Sequence, residues 1–204
     1  MKPVMRNVAM LALATGFAAA AVAAGSQPPS CSADDLVSRR HEVLAEANRL
    51  RAAGASCGAE GRFGPAAPLA WNETLARAAA THAAFRARRQ QLIHEGPAGE
   101  TPADRALALG YDYRRVAENL AFGQRDVAAV LRAWAASPSH CANQHDPVVD
   151  EAALACARAR DGTPYWVMVL GRRLPARAGA DDAGRRTGSG TREMTPPPRQ
   201  TSPS

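Results

Sequence analysis

Apolar residues recur along this chain at two different periods. After Ser32, residues Leu36, Val43, Leu44, Ala47 and Leu50 share one face at helical spacing, and Gly54 ends the run. Asp35, three positions after Ser32, completes a capping box that marks the start. A second helix begins at the N-cap Asn72 and carries Leu75, Ala78, Ala79, His82 and Phe85 along one side. A third has Thr101 as N-cap, Pro102 at its first position, Asp104 in its first turn and Gly110 at its end. A fourth follows Asp126, with Val127, Val130, Leu131 and Trp134 as its stripe, and stops before Pro138.

The other pattern is that of strands. Residues 152–159 and 164–170 flank Arg160-Asp161-Gly162-Thr163, a hairpin turn. Tyr165 to Leu170 is almost continuously apolar, as in a strand covered on both faces. A third strand is expected over residues 114–120. Helices on both sides of a small sheet make an α+β fold, a three-layer α-β-α sandwich.

Segments outside these patterns set the domain limits. Residues 1–24 have the build of a secretory signal peptide: Lys2 and Arg6, an apolar run from Val8 to Val22, then small residues. Residues 25–33 form a linker and residues 34–174 a single domain. Residues 175–204 turn to Gly, Ser, Thr, Pro and Arg, a disordered tail that cannot bury a core. The chain is therefore expected to be secreted or periplasmic. No later segment is apolar and long enough to span a bilayer, so it is not expected to be an integral membrane protein.

Four cysteines in an exported chain imply two disulfides. Of three connectivities, Cys31–Cys57 and Cys141–Cys156 are expected, since each pair brackets one local segment. No Cys-x-x-Cys or Cys-x-x-His spacing supports a cysteine-ligated zinc instead.

The net charge of +6 changes little. Lys2 and Arg6 supply two of those charges, and the tail has five arginines against three acids. What remains on the domain is mixed, which argues against a nucleic-acid partner.

Three polar residues interrupt apolar surroundings: His94 within Leu92 to Gly96, Glu118 within Val116 to Gly123, and His140 within Ser137 to Asn143. Two imidazoles and a carboxylate can hold a divalent metal or move a proton. Ser137 and Ser139 lie near His140, but no Gly-x-Ser-x-Gly elbow accompanies them. His82 reads as a core histidine with its polar groups satisfied. His41 reads as solvent-facing.

These segments together resemble the CAP superfamily: cysteine-rich secretory proteins, antigen 5 and pathogenesis-related 1 proteins, in their bacterial extracellular branch. The resemblance spans nearly all of residues 34–171. It is carried by Pro68 to Asn72 with Leu75-Ala76 and His82-Ala83, by His94, and by Asp104-Arg105-Ala106 with Gly110-Tyr111. Glu118 to Gly123, Trp134, Ser137 to Asn143, and Tyr165-Trp166-Val167 to Gly171 complete it.

The resemblance implies an α-β-α sandwich with a central cleft of two histidines and two acids. Carried over, the histidines are His94 and His140 and one acid is Glu118. Ala98 and Gly99 stand where relatives place the second acid, with Glu95 and Glu100 as neighbours that could replace it. His145 departs from the apolar residue common at its position and is a further cleft candidate.

The implied metal ligands are His94 and His140, for zinc or another divalent cation. No catalytic residue is assigned. The implied function is a secreted, non-enzymatic binding module for a lipid, a cell-wall component or a protein. The alternative is a metal-dependent hydrolase, protease- or esterase-like, working in the same cleft.

Overall fold

A computed structural model describes residues 31–175. The expected signal peptide, most of the linker and the tail from residue 176 lie outside the described residues. Among the described residues six α-helices and six strands run in the order α1 (Ala33–Ser38), α2 (Arg40–Ala53), β1 (Ala55–Ser56), β2 (Arg62–Phe63), β3 (Ala70–Trp71), α3 (Glu73–Arg89), α4 (Pro102–Ala108), β4 (Tyr113–Phe122), α5 (Val127–Ala135), α6 (Pro138–His145), β5 (Glu151–Arg158) and β6 (Pro164–Arg173). No helix among the described residues is long and apolar enough to cross a membrane.

The sheet that organises the molecule has strand order β3-β5-β6-β4. β3 pairs with β5 in parallel, and the other pairings are antiparallel. Alternation along each strand sends side chains to opposite layers. Ala152, Leu154 and Cys156 of β5, with Trp166, Met168 and Leu170 of β6, join Leu36, Val43, Leu131 and Trp134 in one core. Ala153 and Ala155 of β5, with Val167 and Val169 of β6, join Leu75, Ala79, Ala83 and Ala106 in the other. Helices α1, α2 and α5 thus cover one face, and α3 and α4 cover the other. This is the three-layer α-β-α sandwich. The small residues of α3 let it lie close on the sheet.

Capping fixes the helices where polar residues mark them. Asn72 Oδ1 accepts from the amides of Thr74 and Leu75. Thr101 and Asp104 form a reciprocal capping box with Pro102 inside it. Asp126 accepts from the Ala129 amide. The hairpin turn forms with Gly162 at φ 86°, and the Asp161 carboxylate accepts from the Thr163 amide.

Four features differ from the pattern-based expectation. The first helix is two, broken at Arg39 (φ −97°, ψ 17°), whose amide bonds back to the Asp35 carbonyl. Helix α5 ends at Ala135, before Pro138 as expected, but Pro138 then starts a further helix, α6, where a missing N–H costs nothing in the first turn. Strand β3 is too short to show a period, and β1–β2 is a hairpin of two-residue strands.

The fourth difference is the disulfide pairing, which is Cys31–Cys156 and Cys57–Cys141, not Cys31–Cys57 and Cys141–Cys156. Cys31 and Cys57 are held apart by α1 and α2. The latter alone is 14 residues, about 21 Å long. Cys31 instead reaches the central strand β5, with Cα atoms 5.0 Å apart. Cys57 reaches α6, with Cα atoms 5.5 Å apart. Closing loops of 125 and 84 residues also constrains the unfolded chain more, roughly 4.7 kcal/mol against 3 for a short loop in the chain-entropy model.

Candidate functional site

β4 is an edge strand, and its alternation divides the site between two layers. Glu118 points with Leu120 toward α3 and α4, while Asn119 points toward α6. Asn119 Nδ2 donates to the His140 carbonyl at 3.0 Å. Asn143 Nδ2 donates to Asn119 Oδ1 at 2.9 Å. These bonds lay α6 beside the edge of β4 and bring His140 round to it. His94 arrives from the other side, on the loop between α3 and α4.

Glu118 is the centre of the cluster. Its side chain is 1 % exposed, and both oxygens are engaged. Oε2 accepts from Arg105 Nη2 at 2.6 Å. Oε1 lies 2.9 Å from His94 Nδ1. A carboxylate paired with arginine is an acceptor only, so Nδ1 is the donor and carries the proton. In the neutral ring His94 Nε2 is then the lone-pair nitrogen, on a side chain that is 49 % exposed. Arg105 also donates through Nη1 to the carbonyls of His94 and Glu100, both at 2.9 Å, which anchors the loop that presents His94.

Two residues of α3 underlie this cluster. His82 is 1 % exposed and lies 3.7 Å from Glu118 Oε1, beyond hydrogen bonding. Its Nε2 faces the Ile93 carbonyl at 3.3 Å, so it is the protonated nitrogen, and Nδ1 has no partner. Burial, opposed by Glu118, lowers the His82 pKa and keeps the ring neutral. Arg86, one turn on, is also 1 % exposed. Its Nη2 donates to the Glu95 carbonyl at 3.2 Å, while Nε and Nη1 have no partner. Its guanidinium sits 4.2 Å over the Phe85 ring. His82 is thus buried, as its place on the apolar stripe implied, but its polar groups are not fully satisfied. Phe85, expected on the inner stripe, is the half-buried cover, and Arg86 is beneath it.

The pKa of His140 is lowered by burial, with a smaller contribution from His94. The His94 ring is therefore near enough for its charge to act on His140. The remaining candidates lie elsewhere. Glu95 is exposed; its carbonyl accepts from Arg86, and its carboxylate acts on Arg86 only as a minor charge. Glu100 folds back on its own loop, where Oε2 accepts from the Ala98 amide at 2.8 Å. His145 is turned into the α2–α6 layer, where burial and Arg51 lower its pKa. Neither acid replaces the missing one at Ala98 or Gly99. Among the described residues no group of three or more His, Cys, Asp or Glu side chains is arranged to hold a metal ion.

As a donor set for a divalent cation the cleft therefore fits in part. His94 Nε2 and a neutral His140 suit it. Glu118 is consumed by Arg105 and His94, and orients a ligand without being one. Arg105 and His82 belong to the cluster as much as the expected trio does. The signal for His82 was its place on the apolar stripe of α3; Arg105, on the short helix α4, gave none.

The family model of the cysteine-rich secretory protein family, CAP, matches residues 44–170. The chain is similar to the uncharacterised protein YkwD of Bacillus subtilis, at 30 % identity over 80 residues. That match covers 39 % of this chain and 31 % of the relative, so the chain spans about a third of that protein. Among solved structures, an outer surface protein of Borrelia burgdorferi aligns with a TM-score of 0.54 and 20 % identity, covering 69 % of this chain and 94 % of that one. An extracellular SCP-domain protein of Bacillus anthracis aligns with a TM-score of 0.46 and 22 % identity, over 53 % of this chain and 35 % of that one.

Proposed function

The chain belongs to the cysteine-rich secretory protein (CAP) family, and from that premise we propose that it is a secreted, non-enzymatic binding module. Its cleft holds a divalent ion such as zinc weakly, through His94 and His140. The observation that carries this reading is the clamp on Glu118. A general base needs a free lone pair directed at substrate or water. Both oxygens of Glu118 already accept from charged or polar donors at 2.6 and 2.9 Å. Such a carboxylate fixes the tautomer and orientation of His94; it does not activate a nucleophile. A bound ion would supply a Lewis-acidic point at the cleft surface for a ligand's donor atom. The ligand itself is a lipid, a cell-wall component or a protein. Export follows from the leader-like residues 1–24 together with two disulfides, which persist in oxidising compartments.

Calorimetry with zinc on the full chain tests this. Wild type should bind modestly and His94→Ala with His140→Ala should not. Glu118→Gln should weaken binding by about 10- to 100-fold, as loss of an orienting partner does. Equal binding by wild type and the double variant removes the metal from this cleft. The hydrolase reading gains instead if peptide or ester substrates turn over in a metal-dependent way that Glu118→Gln abolishes.

A further inference from the structure

A cavity of about 590 Å³ opens at the other end of the central sheet, bordered by Arg114, Arg172, Arg173, Asp150, Glu151 and Leu174. None of these belongs to the His94–Glu118–His140 cluster. Arg114 and Glu118 are four residues apart on β4, roughly 13 Å along a strand.

The backbone explains why arginines gather here. β4 pairs with β6 in regular register from Arg115↔Arg172 to Phe122↔Tyr165, but Tyr113 pairs with Arg173. The register shift makes Arg114 an extra residue with no partner on β6. Such a bulge breaks the alternation of the strand and re-aims a side chain. It turns Arg114 to the cavity while its neighbour Arg115 pairs with Asp146 at 2.9 Å.

The acids at the cavity are already committed. Glu151 Oε1 accepts from Asn72 at 2.7 Å and Oε2 from the Tyr111 hydroxyl at 2.6 Å. Tyr111 remains a donor, since burial and Glu151 push its pKa up. It lies so close to β6 that a Cβ at Gly171 would meet its hydroxyl at 2.6 Å. Asp150 pairs with Arg172 at 3.2 Å. Arg173 reaches Glu151 only at 3.8 Å, lies 4.4 Å over the Tyr111 ring, and spends one bond on the Gly110 carbonyl. Arg114 has no hydrogen-bond or ion-pair partner among the described residues. Three guanidinium groups therefore face two carboxylates, one of them saturated by neutral donors.

We propose that this cavity is a binding site for an oxyanion group, a phosphate ester or a carboxylate, carried on a small ligand of about sugar size. Arg114 and Arg173 present forked donors that match either group. The volume lies within the range of small-molecule sites. Leu174, 53 % exposed at the rim, offers apolar contact to the remainder of the ligand. The site is independent of the metal cleft.

Amide NMR titration of the full chain at low salt tests it, with pyrophosphate, citrate and glucose 6-phosphate as probes and glucose as the neutral control. Saturable shifts at Arg114, Arg172 and Arg173 with a charged probe, absent with glucose, are the expected result. The phosphate and carboxylate probes then tell which source of the oxyanion is preferred. Arg114→Gln, at an exposed bulge with no bond to lose, should weaken binding about tenfold. His94→Ala should leave it unchanged. The proposal is overturned if no charged probe gives saturable shifts there, if Arg114→Gln binds as wild type does, or if the shifts centre on His94 and His140.

Discussion

Arg51 and Arg86 are both 1 % exposed, both helical, and neither is bonded to a carboxylate, yet their surroundings are opposite. Arg51 spends its guanidinium on four carbonyls. Nε donates to Ala67 at 2.9 Å, Nη1 to Gln144 at 2.7 Å and Asp146 at 3.1 Å, and Nη2 to Val149 at 3.1 Å. Arg86 makes one bond and leaves two donors unmet. Burial lowers the pKa of each, so each carries a desolvation cost. Only Arg51 recovers it, by tying the end of α6 and the loop before β5 to α2. One layer of the sandwich is thus sealed by a satisfied cation. The other, beneath the His94 loop, holds polar capacity that folding does not use.

The largest effect expected from this contrast is at Arg51. Arg51→Leu leaves four carbonyls without their donor. Each unpaired acceptor in a buried setting costs about 1 kcal/mol or more, so the loss should be on the order of 4 kcal/mol in chemical denaturation. A cost under about 1 kcal/mol would mean that water replaces the guanidinium and that Arg51 is no hub.

The two regions also differ in how far the amino-acid pattern reveals them. α3 is legible because Asn72 can only be a cap before a run of helix formers, and β6 because Tyr165 to Leu170 is apolar at every position. The trio His94, Glu118 and His140 stands out because polar residues interrupt apolar runs. Arg105 and Arg86 do not stand out, since an arginine on a short or alanine-rich helix reads as solvent-facing. Their burial depends on a loop, residues 90–101, that folds over them and has no period of its own. The disulfide pairing is hidden for the same reason: Cys31 meets Cys156 only because β5 is central, a property of strand order and not of spacing.

A smaller effect, spread over both layers, concerns pH. His145 lies by Arg51, His82 by Arg86 and Glu118, and His140 in the cleft, and all three have pKa values lowered chiefly by burial. Below about pH 6.5, the ordinary histidine value, the unfolded chain takes up protons that the folded chain refuses. Stability should therefore be fully present above pH 6.5 and decline as pH falls toward 5. Each histidine contributes at most about 1.4 kcal/mol per pH unit. The lowered carboxylates, such as Asp104 and Glu46, act in the same direction but only below about pH 4.5. Denaturation midpoints from pH 7.5 to 5 measure this. A flat profile would show that these rings gain protons in the folded state as readily as in the unfolded one. His82→Gln and His145→Gln should each remove part of that slope, and the double variant the sum of the two.

The smallest effect belongs to Arg86, and its smallness is what the comparison requires. Arg86→Leu gives up one 3.2 Å bond to Glu95 and the contact with Phe85. In return it removes a desolvated cation, two unmet donors and the repulsion from Arg105. Replacing a poorly compensated buried charge with an apolar side chain is often neutral or stabilising. The net change should therefore fall within about 1 kcal/mol of wild type, against the much larger loss at Arg51. Denaturation of the two variants side by side decides the matter. A loss at Arg86 equal to that at Arg51 would mean that bound water or an ion completes its donor set, and the two layers would then be equally sealed.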